Sequence, residues 1–349
     1  MKETIALVAT GQALDEEKAV QAFNIIMSGN ATPAQIGAFL MALRLRGETV
    51  DEITGAVRAM RAKALMIEAP PGCVDIVGTG GDTAGTYNIS TAASLIIAAC
   101  GVPVAKHGSR AVSSKSGAAD ILTALGVFID ADMDLIRESL NTINIGFLMA
   151  PRHHDAMRHV AGPRVEMGIR TIFNILGPMS NPAGVKHHVI GVYDEKWLRP
   201  MAEVLGRLGS ERLWMVHGSD GLDELTTTGP THVVEYNHGT VTRFDVTPEE
   251  AGLARATPAD LKGGDPETNA QALRAVLDGE NGAYRDVALL NAAAALIVIG
   301  KTSSLMDAVA MAAQAVDSGA ARTVLERLVE ITNRPPEPEE DPEAAETTP

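Results

Sequence analysis

The sequence predicts an α/β protein in which a small helical lobe packs on a larger α/β lobe with a central, mainly parallel sheet. The first seventy residues show only helical periodicity, whereas a strand–helix–strand pattern runs from Val74 to about Ala105. This alternation is typical of a parallel sheet. A proline- and glycine-containing break at residues 69–72 separates the two patterns and is the best candidate for a hinge.

Composition excludes several classes of function. The chain has 349 residues, enough for two domains, and 46% of them are apolar, as in ordinary globular proteins. The formal net charge is −15, whereas a protein that binds nucleic acid would present a basic face. Residues 335–349 are rich in proline and glutamate and predict a disordered acidic tail. We therefore expect no nucleic-acid partner.

Neither secretion nor membrane insertion is expected. The N-terminal residues lack the apolar core and cleavage site of a signal peptide. The most apolar stretch, residues 287–299, is too short to span a membrane and contains Asn291, so it predicts a buried helix. Cys73 and Cys100 are the only cysteines and are typical of reduced core thiols. These features predict a soluble, cytoplasmic protein without a membrane partner.

Three short amphipathic helices are predicted before the break. The first covers residues 16–28. The second begins with Thr32 as its N-cap and Pro33 at the first helical position, and the third begins with a capping box of Thr49 and Glu52. Beyond the break, the pattern is mainly helical from residue 247. The predicted strands are residues 74–77, 102–105, 189–193, 213–216 and a hairpin of 233–236 with 241–246.

A glycine-rich segment, GTGGDTAGTYNIST from Gly78 to Thr91, lies between the first predicted strand and a helix. Its glycines allow backbone amides to turn toward an anion, and the following helix adds free N–H groups at its N-terminus. No Gly-Lys-Ser/Thr ends it, and Thr83 stands where the dinucleotide fingerprint requires glycine. The segment predicts a phosphate site; a flexible turn is the alternative.

Two further loops follow strands and carry complementary charges. Residues 106–120, KHGSRAVSSKSGAAD, interleave three basic residues with serines, which suits a phosphate, although a solvated basic loop is the alternative. The segment HGSDGLDELTTTG contains Asp220, Asp223 and Glu224. Carboxylates beside a phosphate predict Mg²⁺, and a solvated acidic turn is the alternative. Loops at the carboxyl ends of parallel strands meet at one edge of the sheet.

Five segments together closely resemble the anthranilate phosphoribosyltransferases of tryptophan biosynthesis. They are GTGGD at 78–82, NIST at 88–91, KHGSRAVSSKSGAAD at 106–120, RTIFNILGPMSNP at 170–182 and DGLDE at 220–224. The resemblance implies transfer of the phosphoribosyl group of 5-phosphoribosyl 1-diphosphate (PRPP) to the amine of anthranilate, with release of pyrophosphate and with Mg²⁺ as cofactor. It extends to about residue 330, leaving out the acidic tail.

The resemblance also implies an architecture of the nucleoside phosphorylase/phosphoribosyltransferase type. The helical lobe would comprise residues 1–70 plus about 149–173, and the α/β lobe residues 73–148 plus about 174–333. The active site would lie between the lobes. A homodimer joined through the helical lobes is expected.

Site residues follow from the matching motifs. PRPP would be bound by Gly78, Thr79, Gly80, Gly81, Asp82, Thr86, Asn88, Ile89, Ser90, Thr91, Lys106, His107, Gly108, Ser113, Ser114 and Lys115. Anthranilate would be bound by Gly78, His107, Ser109, Arg164 and Pro178, and Mg²⁺ by Ser90, Asp223 and Glu224. The family usually has asparagine at position 109 and often glycine at position 83. Ser109 is therefore expected to weaken anthranilate binding, and Thr83 to alter only the flexibility of the loop.

No dedicated acid or base is expected, because an aromatic amine is already neutral at pH 7 and the limiting step is loss of the diphosphate. His107 is a possible donor or weak base. His153 and His154 are expected at the surface near a helix start. Two alternatives remain open: a pyrimidine nucleoside phosphorylase-like enzyme, which would use inorganic phosphate, and a non-catalytic relative that binds nucleic acid.

Overall fold

The computed structural model describes residues 1–111 and 115–335. Four helices precede the break: α1 (Lys2–Ala9), α2 (Glu16–Met27), α3 (Pro33–Arg46) and α4 (Val50–Arg61). The N-caps Thr32 and Thr49 each form the capping box with the residue three positions on. Helix α1 was not predicted, because it buries a single residue, Val8, and so shows little apolar periodicity.

Seven strands and eleven further helices follow in the described residues. The strands are β1 (Val74–Gly78), β2 (Val104–Gly108), β3 (Ile145–Met149), β4 (His187–Gly191), β5 (Arg212–Gly218), β6 (Thr231–Asn237) and β7 (Thr240–Val246). The helices are α5 (Ile89–Ala99), α6 (Ala118–Ala124), α7 (Met133–Thr142), α8 (Ala150–His153), α9 (Arg158–Met167), α10 (Phe173–Leu176), α11 (Leu198–Arg207), α12 (Pro266–Leu277), α13 (Ala283–Val298), α14 (Leu305–Asp317) and α15 (Ala320–Thr332).

The strands form one mixed sheet in the order β3-β2-β1-β4-β5-β6-β7. The first five strands of that order are parallel, and β5, β6 and β7 pair antiparallel. The predicted hairpin is present as β6 and β7. Strand β3 was not predicted, because all five of its residues are buried and no alternation marks it.

The two faces of the sheet pack against different cores. On one face, residues such as Ile76 and Val189 contact α5 and α13, whose side chains are almost all buried. On the other face, Ile190 and Met215 pack with α11 and with the four N-terminal helices. The apolar stretch that begins at Val287 lies in α13, as predicted. Among the helices in the described part of the chain, none has both the length and the apolar character needed to cross a membrane.

A returning part of the chain completes the core of the helical lobe. Phe23 of α2 makes edge-on ring contacts with Phe39 of α3, at 5.6 Å between centroids, and with Phe173, at 5.8 Å. Val160 of α9 is fully buried in the same cluster. Residues far apart in sequence therefore share this core.

The connection between α4 and β1 is hydrogen-bonded at several points. The Leu65 N–H donates to the His153 carbonyl at 2.8 Å, and the Ile67 N–H donates to the Pro182 carbonyl at 3.2 Å. Arg61 donates from Nε and Nη2 to the Met179 carbonyl at 2.9 and 2.6 Å. These contacts fix the connection at Arg61, Leu65 and Ile67, just before the predicted hinge at residues 69–72.

Candidate active site

The glycine-rich loop leaves the carboxyl end of β1 and folds against the carboxylate loop that follows β5. Gly80 and Gly81 have φ of +73° and +83°, conformations that favour glycine. The Gly80 N–H donates to Asp223 Oδ2 at 2.5 Å. A Cβ at Gly78 would overlap the Asp223 carboxylate. The glycines are therefore needed for close approach of two chain segments, as well as for any contact with an anion.

The middle of the loop is held by other parts of the chain. Thr79 Oγ1 accepts from the Tyr193 N–H at 3.0 Å, and Asp82 Oδ1 accepts from the Ala84 N–H at 3.1 Å. Thr86 pairs with Lys262, whose Nζ donates to the Ala84 carbonyl at 2.6 Å. Residues 79–86 thus form a braced loop rather than a free turn.

Helix α5 begins directly after this loop, and its first residues meet Lys106 of β2. Lys106 is buried and donates to Ser90 Oγ at 3.2 Å and to the Ile76 carbonyl at 2.9 Å. Burial lowers the pKa of Lys106, although Asp75 and Glu224 oppose that shift. The side chains of Ile89 and Thr91 are buried. The Ile89 N–H already donates to the Tyr87 carbonyl at 2.9 Å, so of these two positions it is Thr91 that can offer an anion its backbone N–H group.

Asn88 joins the first two predicted phosphate loops. Its Nδ2 donates to the Ser116 carbonyl at 3.2 Å, and its Oδ1 accepts from Ser116 Oγ at 3.1 Å and from Asn269 Nδ2 at 2.9 Å. The Tyr284 hydroxyl donates to the Asn88 carbonyl at 3.2 Å. The two loops are therefore brought together, as the parallel sheet predicts.

The second loop is organised by one carboxylate. Asp120 Oδ2 accepts from the Ala111 N–H at 2.8 Å and the Gly117 N–H at 2.9 Å, while Oδ1 pairs with Arg110 at 3.3 Å. Gly108 ends β2, Ser109 is exposed and Lys115 is exposed. The predicted ligands Ser113 and Ser114 lie outside the described residues.

Of the carboxylates that follow β5, Asp223 is buried, Glu224 is half-buried and Asp220 is exposed. Burial and, to a smaller extent, the Asp82 carboxylate raise the pKa of Asp223 to about 7. Burial and the Asp223 carboxylate raise the pKa of Glu224 to about 8, against an opposing effect of Lys106. Asn291 of α13 pins this loop, since it accepts from the Leu225 N–H and donates to the Leu225 carbonyl. The solvated-turn alternative does not fit this burial.

A divalent cation fits this set of groups. Raised carboxyl pKa values indicate negative charge that the protein itself does not fully compensate. Ser90 lies beside Glu224 through its backbone N–H and beside Lys106 through its hydroxyl. Within residues 1–111 and 115–335, no group of three or more His, Cys, Asp or Glu side chains could hold a metal ion alone. A cation here would depend on phosphate oxygens and water, as Mg²⁺ commonly does.

The predicted acceptor residues lie on and around β2. His107 is buried, its ring lies near the Gly177 backbone next to Pro178, and the His154 ring lies edge-on at 5.2 Å between ring centroids. Burial lowers the pKa of His107 to about 3 and that of His154 to about 4, and neighbouring histidines contribute. His107 is therefore neutral at pH 7, which is consistent with a donor and unsuited to a cationic role.

The surface position predicted for His153 and His154 is wrong. Both side chains are buried, at 1% and 4% exposure. The connection between the lobes covers them, and His153 Nδ1 lies 2.6 Å from the Leu65 carbonyl. The residues next to His153 and His154 in the sequence do not indicate this burial, because the residues that cover the two side chains are distant along the chain.

Arg164 lies in α9, in the returning part of the helical lobe. Its guanidinium is half-buried, stands 5.7 Å from the centre of the Phe173 ring, and forms no ion pair within the described chain. Burial lowers the pKa of this guanidinium. A half-buried cation without a carboxylate partner is suited to bind an anionic group.

Four residues important to this geometry were not singled out from the sequence. Arg170 donates to the Gly81 carbonyl and stacks 4.3 Å from the Tyr193 ring, which brings the returning segment onto the glycine loop. Asp75 and Asn181 form a buried pair beneath His107, and Asn291 pins the carboxylate loop. Arg170 and Asn181 stand in a segment that was quoted for the resemblance, which was the available indication.

The chain was compared with known proteins. Residues 2–64 match the model of the glycosyl transferase family helical bundle domain, and residues 70–322 match that of the glycosyl transferase family a/b domain. The anthranilate phosphoribosyltransferase of Paramagnetospirillum magneticum is 67% identical over 334 residues, covering 96% of each chain.

Solved structures give the same result. The crystal structure of the Thermus thermophilus anthranilate phosphoribosyltransferase matches with a TM-score of 0.90 and 45% identity, covering 95% of this chain and 99% of that one. The Saccharomyces cerevisiae enzyme in complex with PRPP and Mg matches with a TM-score of 0.86 and 27% identity, covering 94% and 96%.

Proposed function

The chain belongs to the anthranilate phosphoribosyltransferase family, and from this premise we propose that it transfers the phosphoribosyl group of PRPP to the amine of anthranilate and releases pyrophosphate. The observation that carries the proposal is the meeting of three features at one edge of the sheet. These are the glycine-rich loop with the N-terminus of α5, the buried Lys106, and the neighbouring carboxylates of buried Asp223 and half-buried Glu224. Together they offer amides, a cation and metal ligands to one diphosphate.

Mg²⁺ would be held by Ser90, Asp223 and Glu224. When bound, it neutralises charge that develops on the diphosphate leaving group. The protein's own contribution is the orientation of the donor. The N–H groups of Thr79 and Gly80 already donate to the Gly191 carbonyl and to Asp223. The later amides of the glycine-rich loop and those at the start of α5, with Lys106, would hold the phosphates before the amine arrives. The raised pKa values of both carboxyl groups support a cation at this position.

The acceptor would bind on the other side of the ribose. Arg164 would bind the anthranilate carboxylate, and His107, Pro178, Gly78 and Ser109 would line the path of the ring. Because His107 is neutral and buried, it would donate a hydrogen bond or exclude water rather than carry charge. Because the side chain of Ser109 is shorter than that of asparagine, it would contact anthranilate less closely and weaken its binding.

The arrangement of lobes and subunits is part of the same proposal. The helical lobe would comprise residues 1–70 plus about 149–173, which the burial of Val160 in the helical core supports. A homodimer would form through the helical lobes, and the exposure of Met41 and Leu45 one turn apart on α3 supports an apolar contact there. The cytoplasmic location remains a prediction.

Steady-state assays test the function. Native protein is mixed with anthranilate and PRPP, with and without Mg²⁺, and consumption of anthranilate is followed by its fluorescence. We expect Mg²⁺-dependent turnover, and a lower KM for anthranilate in Ser109→Asn with an unchanged KM for PRPP. A parallel reaction with a pyrimidine nucleoside and inorganic phosphate tests the alternative enzyme. Phosphate-dependent nucleoside cleavage without anthranilate consumption would overturn the proposal.

A further inference from the structure

A buried polar pair, Asp75 of β1 and Asn181, lies beneath the predicted acceptor path. Asp75 is fully buried, and its carboxylate accepts from Asn181 Nδ2 at 2.7 Å and from the His107 backbone N–H at 3.3 Å. Asn181 Nδ2 also donates to the Ala105 carbonyl at 2.8 Å, and its Oδ1 accepts from the Ala183 N–H at 2.8 Å. One side-chain amide therefore joins β1, β2 and the turn after α10.

The same turn, residues 177–182, is held from the helical lobe. Arg61, the last residue of α4, donates twice to the Met179 carbonyl. At the start of the turn, the Gly177 backbone lies near the His107 ring, and Pro178 follows. The turn is thus hydrogen-bonded at its middle and its end, and the Asp75–Asn181 contact is its anchor to the centre of the sheet.

Burying this polar pair in the core costs more free energy than burying an apolar pair of similar size would. A buried carboxylate is strongly disfavoured unless a cation or several donors compensate it. The hydrogen-bond donors to Asp75 are neutral, and burial raises its pKa to about 6. The nearby ammonium of Lys106 is bonded instead to Ile76 and Ser90. Directional hydrogen bonds are what this pair offers that an apolar pair would not.

We propose that Asp75 and Asn181 are positioning residues for the aromatic acceptor: their hydrogen bonds fix the His107 backbone against the turn that carries Pro178, and so set the width of the acceptor path. The proposal rests on the function proposed above. Neither side chain touches the acceptor. Their effect is exerted through His107 and residues 177–182, and a displacement of about 1 Å in such a site can lower the rate about a hundredfold.

Substitution of Asn181 tests this assignment. In Asn181→Ala, we expect the KM for anthranilate to rise about tenfold or more, and the KM for PRPP to change less than about twofold. Asn333→Ala is the matched control, since it also removes an amide that donates to two backbone carbonyls, Gly126 and Val329, far from the site. We expect the control to lower the melting temperature and to leave both KM values unchanged.

A charge exchange separates positioning from stability. Asn181→Asp places a second carboxylate against Asp75, and we expect a higher KM for anthranilate. In the double variant Asp75→Asn with Asn181→Asp, the amide of residue 75 can donate to the carboxylate of residue 181, although the bond to the Ala105 carbonyl is not restored. We therefore expect the KM for anthranilate to return part of the way to the native value. A purely structural pair would change the melting temperature across this series without a selective change in the KM for anthranilate.

The outcomes are distinct. If Asn181→Ala folds and its KM for anthranilate is unchanged, or both KM values rise together, the inference is overturned. If that variant does not fold, Asp75→Asn, which keeps size and one acceptor oxygen, decides in the same way. Native protein that does not consume anthranilate overturns the proposed function, whereas active native protein with an unselective Asn181→Ala overturns this inference alone.

Discussion

Gly191 at the end of β4 packs directly against the main chain of Asp223, so that a Cβ at position 191 would overlap the Asp223 carbonyl group. We expect Gly191→Ala to displace the carboxylate loop and to lower kcat about a hundredfold at saturating Mg²⁺, because displacement of about 1 Å is enough for such a loss. Gly146→Ala is the control, since it also creates a buried clash, at 2.7 Å from the Leu140 side chain, but on β3. Equal losses of kcat in the two variants would contradict the prediction.

Neutral replacements of the carboxylates of Asp223 and Glu224 should separate metal dependence from stability. In the double variant Asp223→Asn and Glu224→Gln, we expect no Mg²⁺-dependent turnover. We also expect a higher melting temperature without Mg²⁺ at about pH 9, because this lies above both pKa values and the two carboxyl groups are then ionised and repel each other in the native protein. Glu326→Gln with Glu330→Gln, on the exposed face of α15, is the control. Retained Mg²⁺-dependent turnover in the first variant would remove the metal assignment.

Arg164 should act on the acceptor alone. In Arg164→Ala, we expect the KM for anthranilate to rise about 10- to 100-fold, the range that corresponds to loss of a charge-assisted hydrogen bond, with the KM for PRPP unchanged. Arg158→Ala is the control, because Arg158 lies on the same helix and pairs with Asp155 at the surface. Unchanged dependence on anthranilate concentration in Arg164→Ala would count against its role.

Thr83 adopts a backbone conformation that strains it. Its φ is +61°, in the left-handed region, although threonine is β-branched. The expectation from sequence, a change in flexibility alone, did not include this strain. The penalty of about 1–2 kcal/mol exceeds the entropic cost of glycine, about 0.5–1 kcal/mol. We therefore expect Thr83→Gly to raise the free energy of unfolding by about 0.5–1 kcal/mol in urea titrations. Ala84→Gly should lower it, and a decrease in both variants would contradict the strain.

Buried His188 should contribute to acid sensitivity. Burial lowers its pKa from 6.5 to about 3, so the unfolded chain takes up the proton first as the pH falls. The stability contributed by neutral His188 is present above pH 6.5 and is lost progressively toward pH 3. In His188→Asn, the slope of unfolding free energy between pH 6 and 4 should decrease by up to about 1.4 kcal/mol per pH unit. His238→Asn, in the exposed hairpin turn, should keep the native slope; equal slopes in all three proteins would contradict the prediction.

Local sequence patterns predicted the strand and the helix that flank the proposed phosphate loop, because glycines, lysines and hydroxyls mark a loop by themselves. The strand before Gly78 and the helix after Asn88 are present as expected. The same holds for the capping boxes at Thr32 and Thr49, whose partners lie three residues away. Features that depend on residues nearby in the sequence could therefore be predicted.

Features that depend on residues distant in the sequence could not be predicted from local patterns. Asp75 and Asn181 are separated by 106 positions, and Asp75 stands in an apolar strand where nothing local indicates a donor. His153 and His154 are buried by the connection near Leu65, so their local context suggested a surface that does not exist. Strand β3 lacks alternation because both of its faces are covered, and periodicity alone therefore did not find it.

The contact between Phe23 and Phe173 has a consequence for the order in which parts of the protein can fold during synthesis. During synthesis, the N-terminal helices leave the ribosome first, and domains generally fold in that order. Here the core around Phe23 is incomplete until α9 and Phe173 have been added, by which point only three of the seven strands, β1, β2 and β3, have been synthesised. Until then, the N-terminal helices expose apolar surface that is buried in the complete protein. A gene fragment that ends after α4 would therefore encode four helices that do not form an independent folding unit.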